Sequence, residues 1–360
     1  VNAGEQRRSL VQQIHAGPGL GVLALTGGGS LAISDLLAEP GASRTVLEAV
    51  VPYAGAALID WVGGAPDQFC SATTARAMAM ASFRRAQTLA ADAPGQPLFG
   101  LGCTASLASD RPKRGEHRAH LALQTAGATH TRSIVLGKGL RRRQEEERLV
   151  ADLALNLVAE ACLAEKRISC ALHTTENVED DCTNAPPAWQ RLLAGETAAV
   201  RRGNANASWE ELEAHAPRPH VRAIFSGAFN PLHDGHRQMA RVAAEELGCA
   251  IDFEISIENV DKPPLNFTEL ATRAEQFRDV PLWLTREKTF AGKSRLFPGA
   301  VFIIGADTLE RIGLARYYGG EAELERALEE LRSAGARFLV FGRMVKGDFV
   351  GLDEMTLPPA

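Results

Sequence analysis

Phe225-Ser226-Gly227-Ala228-Phe229-Asn230-Pro231-Leu232-His233-Asp234-Gly235-His236 is the stretch on which the reading of this chain turns. The apolar run from Val221 to Phe225 reads as a buried strand, and beyond the stretch Met239, Val242, Ala243 and Leu247 recur at helical spacing between Gln238 and Leu247. The stretch therefore sits on a strand-to-helix turn of an α/β unit. A helix N-terminus there presents unpaired N–H groups and positive dipole to an anion. Gly227 lets backbone approach a ligand closely, and Pro231 fixes a turn. His233 and His236 are three apart, so both imidazoles can point the same way from the first helical turn, with Gly235 keeping that face clear. Two imidazoles at a helix N-terminus form a grip for a polyphosphate. Phosphoryl and nucleotidyl transfer need such a grip because their transition states spread charge over oxygens.

A chain of 360 residues suggests two or more domains, since single cores stop growing beyond roughly 250–300 residues. Hydrophobic content of 45% and charged content of 23% describe an ordinary globular protein. A net charge of -5 argues against a nucleic-acid binder that works through a broad basic surface. Membrane spans need roughly 18–20 apolar residues, and no run approaches that length. The polar N-terminus, Val1 to Leu10, carries no signal-peptide pattern. Six scattered cysteines without a Cys-x-x-Cys pair fit the reduced thiols of a cytoplasmic protein. Cys170, His173 and Cys182 lack a fourth partner at metal-ligand spacing, so no metal site is assigned. Self-association is left open.

Three regions separate by pattern: a first domain over 1–170, a linker over 171–220 and a second domain over 221–360. In the first, Gly21 to Leu25, Pro97 to Gly102, His120 to Leu123 and Ser133 to Leu136 read as strands. Ser30 to Leu37, Ser71 to Leu89 and Arg141 to Leu163 read as helices, with Ser71 or Thr73 as cap of the second. The charge blocks Arg141-Arg142-Arg143 and Glu145-Glu146-Glu147 read as a solvated face with i,i+4 pairing. Between Ser169 and His220 apolar periodicity fails, which reads as a linker carrying a short helix or two. In the second domain Asp252 to Ile257, Ala300 to Ile304 and Arg337 to Phe341 read as further strands. Strands alternating with helices in both domains indicate α/β architecture with mainly parallel sheets.

Gly-x-Phe-x-Pro-x-His-x-Gly-His, on Gly227 to His236, resembles the signature of the nucleotidylyltransferase superfamily. That superfamily includes nicotinamide mononucleotide adenylyltransferases, phosphopantetheine adenylyltransferase and cytidylyltransferases. The resemblance implies a Rossmann-like α/β/α fold in which His233 and His236 bind the nucleoside triphosphate and stabilise the pentavalent transition state, with Mg²⁺ accompanying the triphosphate. It also places Gly227, Ala228, Phe229 and Asn230 at the nucleotide. The ligands of open α/β sheets lie beyond the carboxyl ends of the strands, so two further strand ends should face the motif. Lys262, in Asn259-Val260-Asp261-Lys262, resembles the family's Pro-His-Lys or Asn-Asp-Lys loop. Ile304-Gly305-Ala306-Asp307-Thr308-Leu309 resembles its Ile-Gly-Ala-Asp segment, with Gly305 allowing close approach and Asp307 accepting ribose hydroxyls or capping the next helix. The family's Ile-Ser-Ser-Thr-x-x-Arg segment has no counterpart before Ala360. Either the sequence is truncated or another cation substitutes, the candidates being Lys288, Lys293 and Arg295.

Residues Leu23 to about Leu163 resemble, more faintly, the C-terminal domain of the CinA nicotinamide mononucleotide deamidase family. Thr26-Gly27-Gly28 matches the family's Thr-Gly-Gly turn, which implies a phosphate held on backbone amides. Pro40 to Ser43, Val50 to Tyr53 and Ser71 to Met80 match at the family's spacing. The family's serine nucleophile falls on Ala24 and its lysine near Leu58, leaving Tyr53, so the resemblance implies a catalytically degenerate domain. The whole is read as a nucleotidylyltransferase transferring AMP from ATP to a phosphorylated acceptor such as nicotinamide or nicotinate mononucleotide. The alternatives are a cytidylyltransferase acting on a phosphorylated alcohol and a non-catalytic nucleotide sensor or scaffold. The partners are small molecules, neither nucleic acid nor membrane.

Overall fold

The computed structural model describes residues 2–92, 95–111, 113–204, 207–212, 221–259, 264–345 and 348–350, with side chains described as far as residue 342. The chain divides into two units, Val1–Ala185 with Asp261–Thr268, and Pro186–Val260 with Glu269–Ala360. No helix among the described residues is long and apolar enough to cross a membrane.

In the first unit, the run LGVLALT forms a central strand, β1 (Leu20–Thr26), buried over all but its first residue. It pairs in parallel with β2 (Val46–Val50) and β3 (Leu98–Ser106). The antiparallel strands β4 (His117–Thr125), β5 (Ala128–Leu136) and β6 (Val178–Asn184) extend the sheet in the order β2-β1-β3-β4-β5-β6. Leu23 and Leu25 of β1 pack with α1 (Ala3–Ala16), α2 (Leu31–Ala38) and α5 (Arg143–Ala161) in one core. Ala24 turns to the other face and packs with α3 (Gly55–Val62) and α4 (Ala72–Leu89). This sheet is mixed, whereas the sequence suggested a mainly parallel one. The reason lies in the connections: only residues 126 and 127 separate β4 from β5, too few for the crossover that a parallel pair requires.

The second unit is built on β7 (Ala199–Arg202), β8 (Glu210–Glu211), β9 (Ala223–Ser226), β10 (Asp252–Ser256), β11 (Leu282–Thr285), β12 (Val301–Gly305) and β13 (Arg337–Phe341). Their order is β13-β12-β9-β10-β11-β7-β8, with β9 to β13 parallel and β7 antiparallel to β11. Its helices are α6 (Pro187–Ala194), α7 (Asp234–Leu247), α8 (Phe267–Ala274), α9 (Phe290–Leu296), α10 (Ala306–Ile312) and α11 (Glu321–Ser333). The chain leaves β9 through α7 to β10 on one side, then returns through α9 to β12 on the other. Strand order thus reverses between β9 and β12, the topological switch point beyond whose carboxyl ends such sheets bind ligands.

The span 171–220, expected as a linker, contributes to both sheets. β6 edges the first sheet, while α6, β7 and β8 belong to the second unit. Periodicity failed there because β6, VEDDCTN, is a largely exposed edge strand with acidic residues in place of an apolar face. Charged side chains are how edges avoid further pairing. Asp180 of β6 is held from β5 by His130 and by Arg132, whose Nε lies 3.0 Å from Asp180 Oδ2.

Candidate functional site

The loop between β9 and α7 is shaped by its own histidines. His233 is the N-cap of α7, in extended conformation, and the ring of His236 reaches back to cap its N–H. The His236 N–H donates to the His233 carbonyl at 3.0 Å, while His236 Nδ1 accepts the His233 N–H at 3.3 Å. The rings stack with centroids 3.7 Å apart and planes 25° from parallel. His236 thus uses one ring nitrogen to build the helix start and keeps the other for a ligand. Because Nδ1 of His236 accepts, its remaining proton resides on Nε2. Burial, and then the neighbouring His233, pull the His236 pKa below its usual value. It is a neutral hydrogen-bond donor near pH 7.

Beneath the rings lies an aromatic platform. Phe229 is 2% exposed and adopts a left-handed φ of 43°. Its ring centroid is 5.1–5.4 Å from those of Phe225, His236, Phe253 and Phe277. Gly227 serves this platform. A Cβ at Gly227 would meet Phe229 Cζ at 2.7 Å, and its N–H is committed to the Glu254 carbonyl at 3.0 Å. The sequence assigned Gly227 and Phe229 to the nucleotide; in the structure Gly227 packs against the Phe229 ring, which in turn lies edge-on to His236. Ala228 and Asn230 are exposed beside them. Two residues that the sequence did not single out clamp the loop. Gln276 donates Nε2–H to the Phe229 carbonyl at 3.1 Å and accepts the Leu232 N–H at 2.7 Å. Arg273 donates from Nη1 to the Ala228 carbonyl at 3.2 Å. Both sit in or just after an amphipathic helix, where nothing in the local pattern marks them.

Across the switch point, β12 pairs with β9 as Val301↔Ala223 and Ile303↔Phe225, and both strands end within two residues of that last pair. Gly305 is the N-cap of α10 and Asp307, half-buried, lies in its first turn. The second sequence segment is therefore at the strand ends beside the histidine loop. The Asp307 carboxylate there is one that a helix N-terminus favours. Lys262 lies outside the described residues. Ser226, 8% exposed at the end of β9, has an Oγ with no hydrogen-bond partner, the kind of orphan a ligand or water would satisfy. The three cations considered from sequence are each tied to a carboxylate: Lys293 to Glu254 at 2.7 Å, Lys288 to Glu258 at 3.1 Å and Arg295 to Glu330 at 2.6 Å. Lys293, a candidate substitute cation from the sequence, is buried, with Thr285 completing the Glu254 contacts at 2.6 Å. Among the described residues no cluster of His, Cys, Asp or Glu is arranged to hold a metal.

In the first unit, Thr26 is buried and Gly27 has φ 73°, with a Cβ there placed 1.9 Å from the Ala105 carbonyl oxygen. Only glycine fits that turn. The anion seat it leads to, with Gly28, is filled from within the unit. Glu147 of α5 accepts the N–H of Gly29 at 2.9 Å and of Leu31 at 3.2 Å, and the Ser30 hydroxyl at 2.9 Å. Arg143 donates to the Gly27 carbonyl at 2.9 Å. Glu146 is fully buried, accepting the Ala108 N–H at 2.6 Å beside His117 Nδ1 at 2.7 Å. The charge block read as a solvated face with i,i+4 pairing keeps Arg142 and Glu145 exposed and pairs Arg143 with Glu147 at 3.9 Å, but Glu146 turns inward, where a buried carboxylate must find partners. Ala24 and Leu58, at the nucleophile and lysine positions of the resemblance, share one apolar cluster with Val62 and Met78, while Tyr53 is exposed.

No curated protein matches the chain. Among solved structures it is similar to the competence/damage-inducible protein CihA from Agrobacterium tumefaciens, at 20% identity over 45% of this chain and 96% of that one, with TM-score 0.36. It is similar also to a CinA superfamily protein from Klebsiella pneumoniae, at 13% identity over 45% and 99%, TM-score 0.36. A competence or damage-inducible protein from Enterobacter asburiae shares 19% identity over 46% and 98%, TM-score 0.34. The cytidylyltransferase-like family model matches residues 224–348, a span that begins in β9 and contains the histidine loop and the β12 end. The second unit therefore carries a cytidylyltransferase-like domain, which supports a nucleotidyltransferase-type function.

Proposed function

We propose that the second unit transfers a nucleotidyl group, AMP from ATP, to a phosphorylated acceptor such as nicotinamide or nicotinate mononucleotide. An acceptor phosphate oxygen attacks the α-phosphorus, the bond to the β-phosphate breaks, and pyrophosphate leaves. The observation that carries this reading is the stacked His233–His236 pair at the start of α7, beside the switch point of a parallel sheet. The imidazoles orient the triphosphate and donate to oxygens on which charge grows. Gly305 and Asp307, at the adjoining strand end, are suited to the nucleoside. Mg²⁺ would be held by phosphate oxygens and water, and it would neutralise charge on the triphosphate. Six free cysteines are in keeping with a cytoplasmic location.

A panel of ATP and CTP with mononucleotide and phosphoalcohol acceptors, read by pyrophosphate release and product mass, tests the reading. Dinucleotide from ATP and a mononucleotide is the expected product. Product only from CTP with a phosphorylated alcohol would replace the substrates proposed here. A second reading, a sensor that binds nucleotide without turnover, is favoured by the carboxylate pairing of Lys288, Lys293 and Arg295. Binding without product in every combination would establish it.

For the first unit we infer a scaffold without deamidase activity. An alanine and a leucine packed together offer neither nucleophile nor base. The intact chain should release no ammonia from nicotinamide mononucleotide; release that disappears in Thr26→Ala would place a nucleophile that this reading missed.

A further inference from the structure

We propose that Arg273, on α8, is the cation that meets the phosphate chain held at His233 and His236; this rests on the nucleotidyltransferase reading of that site. Arg273 reaches the histidine loop itself, donating from Nη1 to the Ala228 carbonyl at 3.2 Å. That contact uses one of five guanidinium N–H donors, and among the described residues Arg273 makes no ion pair. Four other cations of the unit are each already held by a carboxylate. Arg286 and Lys288 share Glu258, Lys293 is bound to Glu254, and Arg295 to Glu330.

Need and supply coincide here. His236 offers a neutral donor, so a bound polyphosphate would bring several negative charges that this ring does not offset. Arg273 is half-buried with no carboxylate in ion-pair contact among the described residues, a costly state for a cation that an arriving phosphate would relieve. Burial lowers its pKa, while Glu269 one turn earlier opposes that change through space; a guanidinium stays charged under such a shift. The planar fork suits paired phosphate oxygens, which is why arginine rather than lysine would be used at this position.

The test compares wild type, Arg273→Lys and Arg273→Gln in the intact chain. Magnesium pyrophosphate binding is measured by calorimetry at several salt concentrations, alongside initial rates with ATP and nicotinamide mononucleotide. Glutamine keeps a donor for the Ala228 carbonyl but not the charge; lysine keeps the charge. Thermal melting checks that all three are folded. Arg273→Gln should bind pyrophosphate on the order of 10- to 10²-fold more weakly, with a flatter salt dependence, and Arg273→Lys should recover most of the loss. Arg273→Gln binding within about twofold of wild type, or both variants losing affinity equally with unchanged salt dependence, would reduce Arg273 to a clamp on the loop. A wild type that binds no pyrophosphate and turns over no triphosphate removes the nucleotidyltransferase reading and this role with it. A wild type that turns over, with Arg273→Gln unchanged, removes this role alone.

Discussion

Gly227→Ala puts a single methyl group against the platform under the histidines. The added Cβ would sit 2.7 Å from Phe229 Cζ and 3.0 Å from Cε1 and Cε2. Carbon atoms pack at about 3.5–4.0 Å, so the ring must retreat by about 1 Å. It has no room to do so, being 2% exposed with Phe225, Phe253, Phe277 and His236 around it. Overpacking of this kind costs about 1–3 kcal/mol, and a reacting group displaced by about 1 Å loses on the order of 10²-fold in rate. Urea denaturation and pyrophosphate release measure the two effects. The companion variant Gly227→Ala with Phe229→Leu separates two reasons for the glycine. If glycine is there for the ring, the smaller leucine restores much of the stability and part of the rate. If it is there for backbone approach to a ligand, shrinking residue 229 restores nothing. Gly227→Ala with stability within about 0.5 kcal/mol and undiminished turnover would refute the packing argument altogether.

Three further outcomes are expected. His236→Ala should lower turnover by on the order of 10²-fold or more, read by pyrophosphate release, since it removes a donor aimed at developing charge. The free protein holds the His236 pKa low and a bound phosphate raises it, so pyrophosphate binding should take up protons and strengthen as pH falls toward 6; calorimetry in two buffers of different ionisation enthalpy measures the uptake, and none would contradict this account. Glu147→Ala frees the N–H groups of Gly29 and Leu31, so it should destabilise the first unit by about 1–2 kcal/mol in urea, and inorganic phosphate should protect the variant more than the wild type. Glu176 shows the opposite pH dependence to a histidine: burial raises its pKa, but Arg141 and the N–H groups of His173 and Gly137 outweigh this and hold it at about 2. Its stabilisation is therefore complete above about pH 4.5 and lost as pH falls through 2. Glu176→Gln should be less stable at pH 7 by about 2 kcal/mol, a gap that closes on acidification when followed by circular dichroism.

The sequence by itself determined the strand-turn-helix at 223–247 and the place of the histidines on it, because that information is local. A buried apolar run, a proline turn and helical periodicity each act over a few residues. The β12 end at Gly305 was equally legible, since α/β units repeat the same local pattern. Tertiary structure decided the rest. Whether Gly227 serves a ligand or Phe229 depends on a ring folded back over it. Whether Lys293 is solvated or buried depends on Glu254, 39 residues away in the chain. The edge strand β6 was invisible because its acidic residues are stabilised by His130 and Arg132 on a neighbour, with no apolar face of its own. The same holds for Glu147, which fills the seat that Thr26-Gly27-Gly28 would offer an anion from 118 residues beyond Gly29. Charge partners and cap donors are chosen by proximity in space, and a linear pattern does not contain that distance.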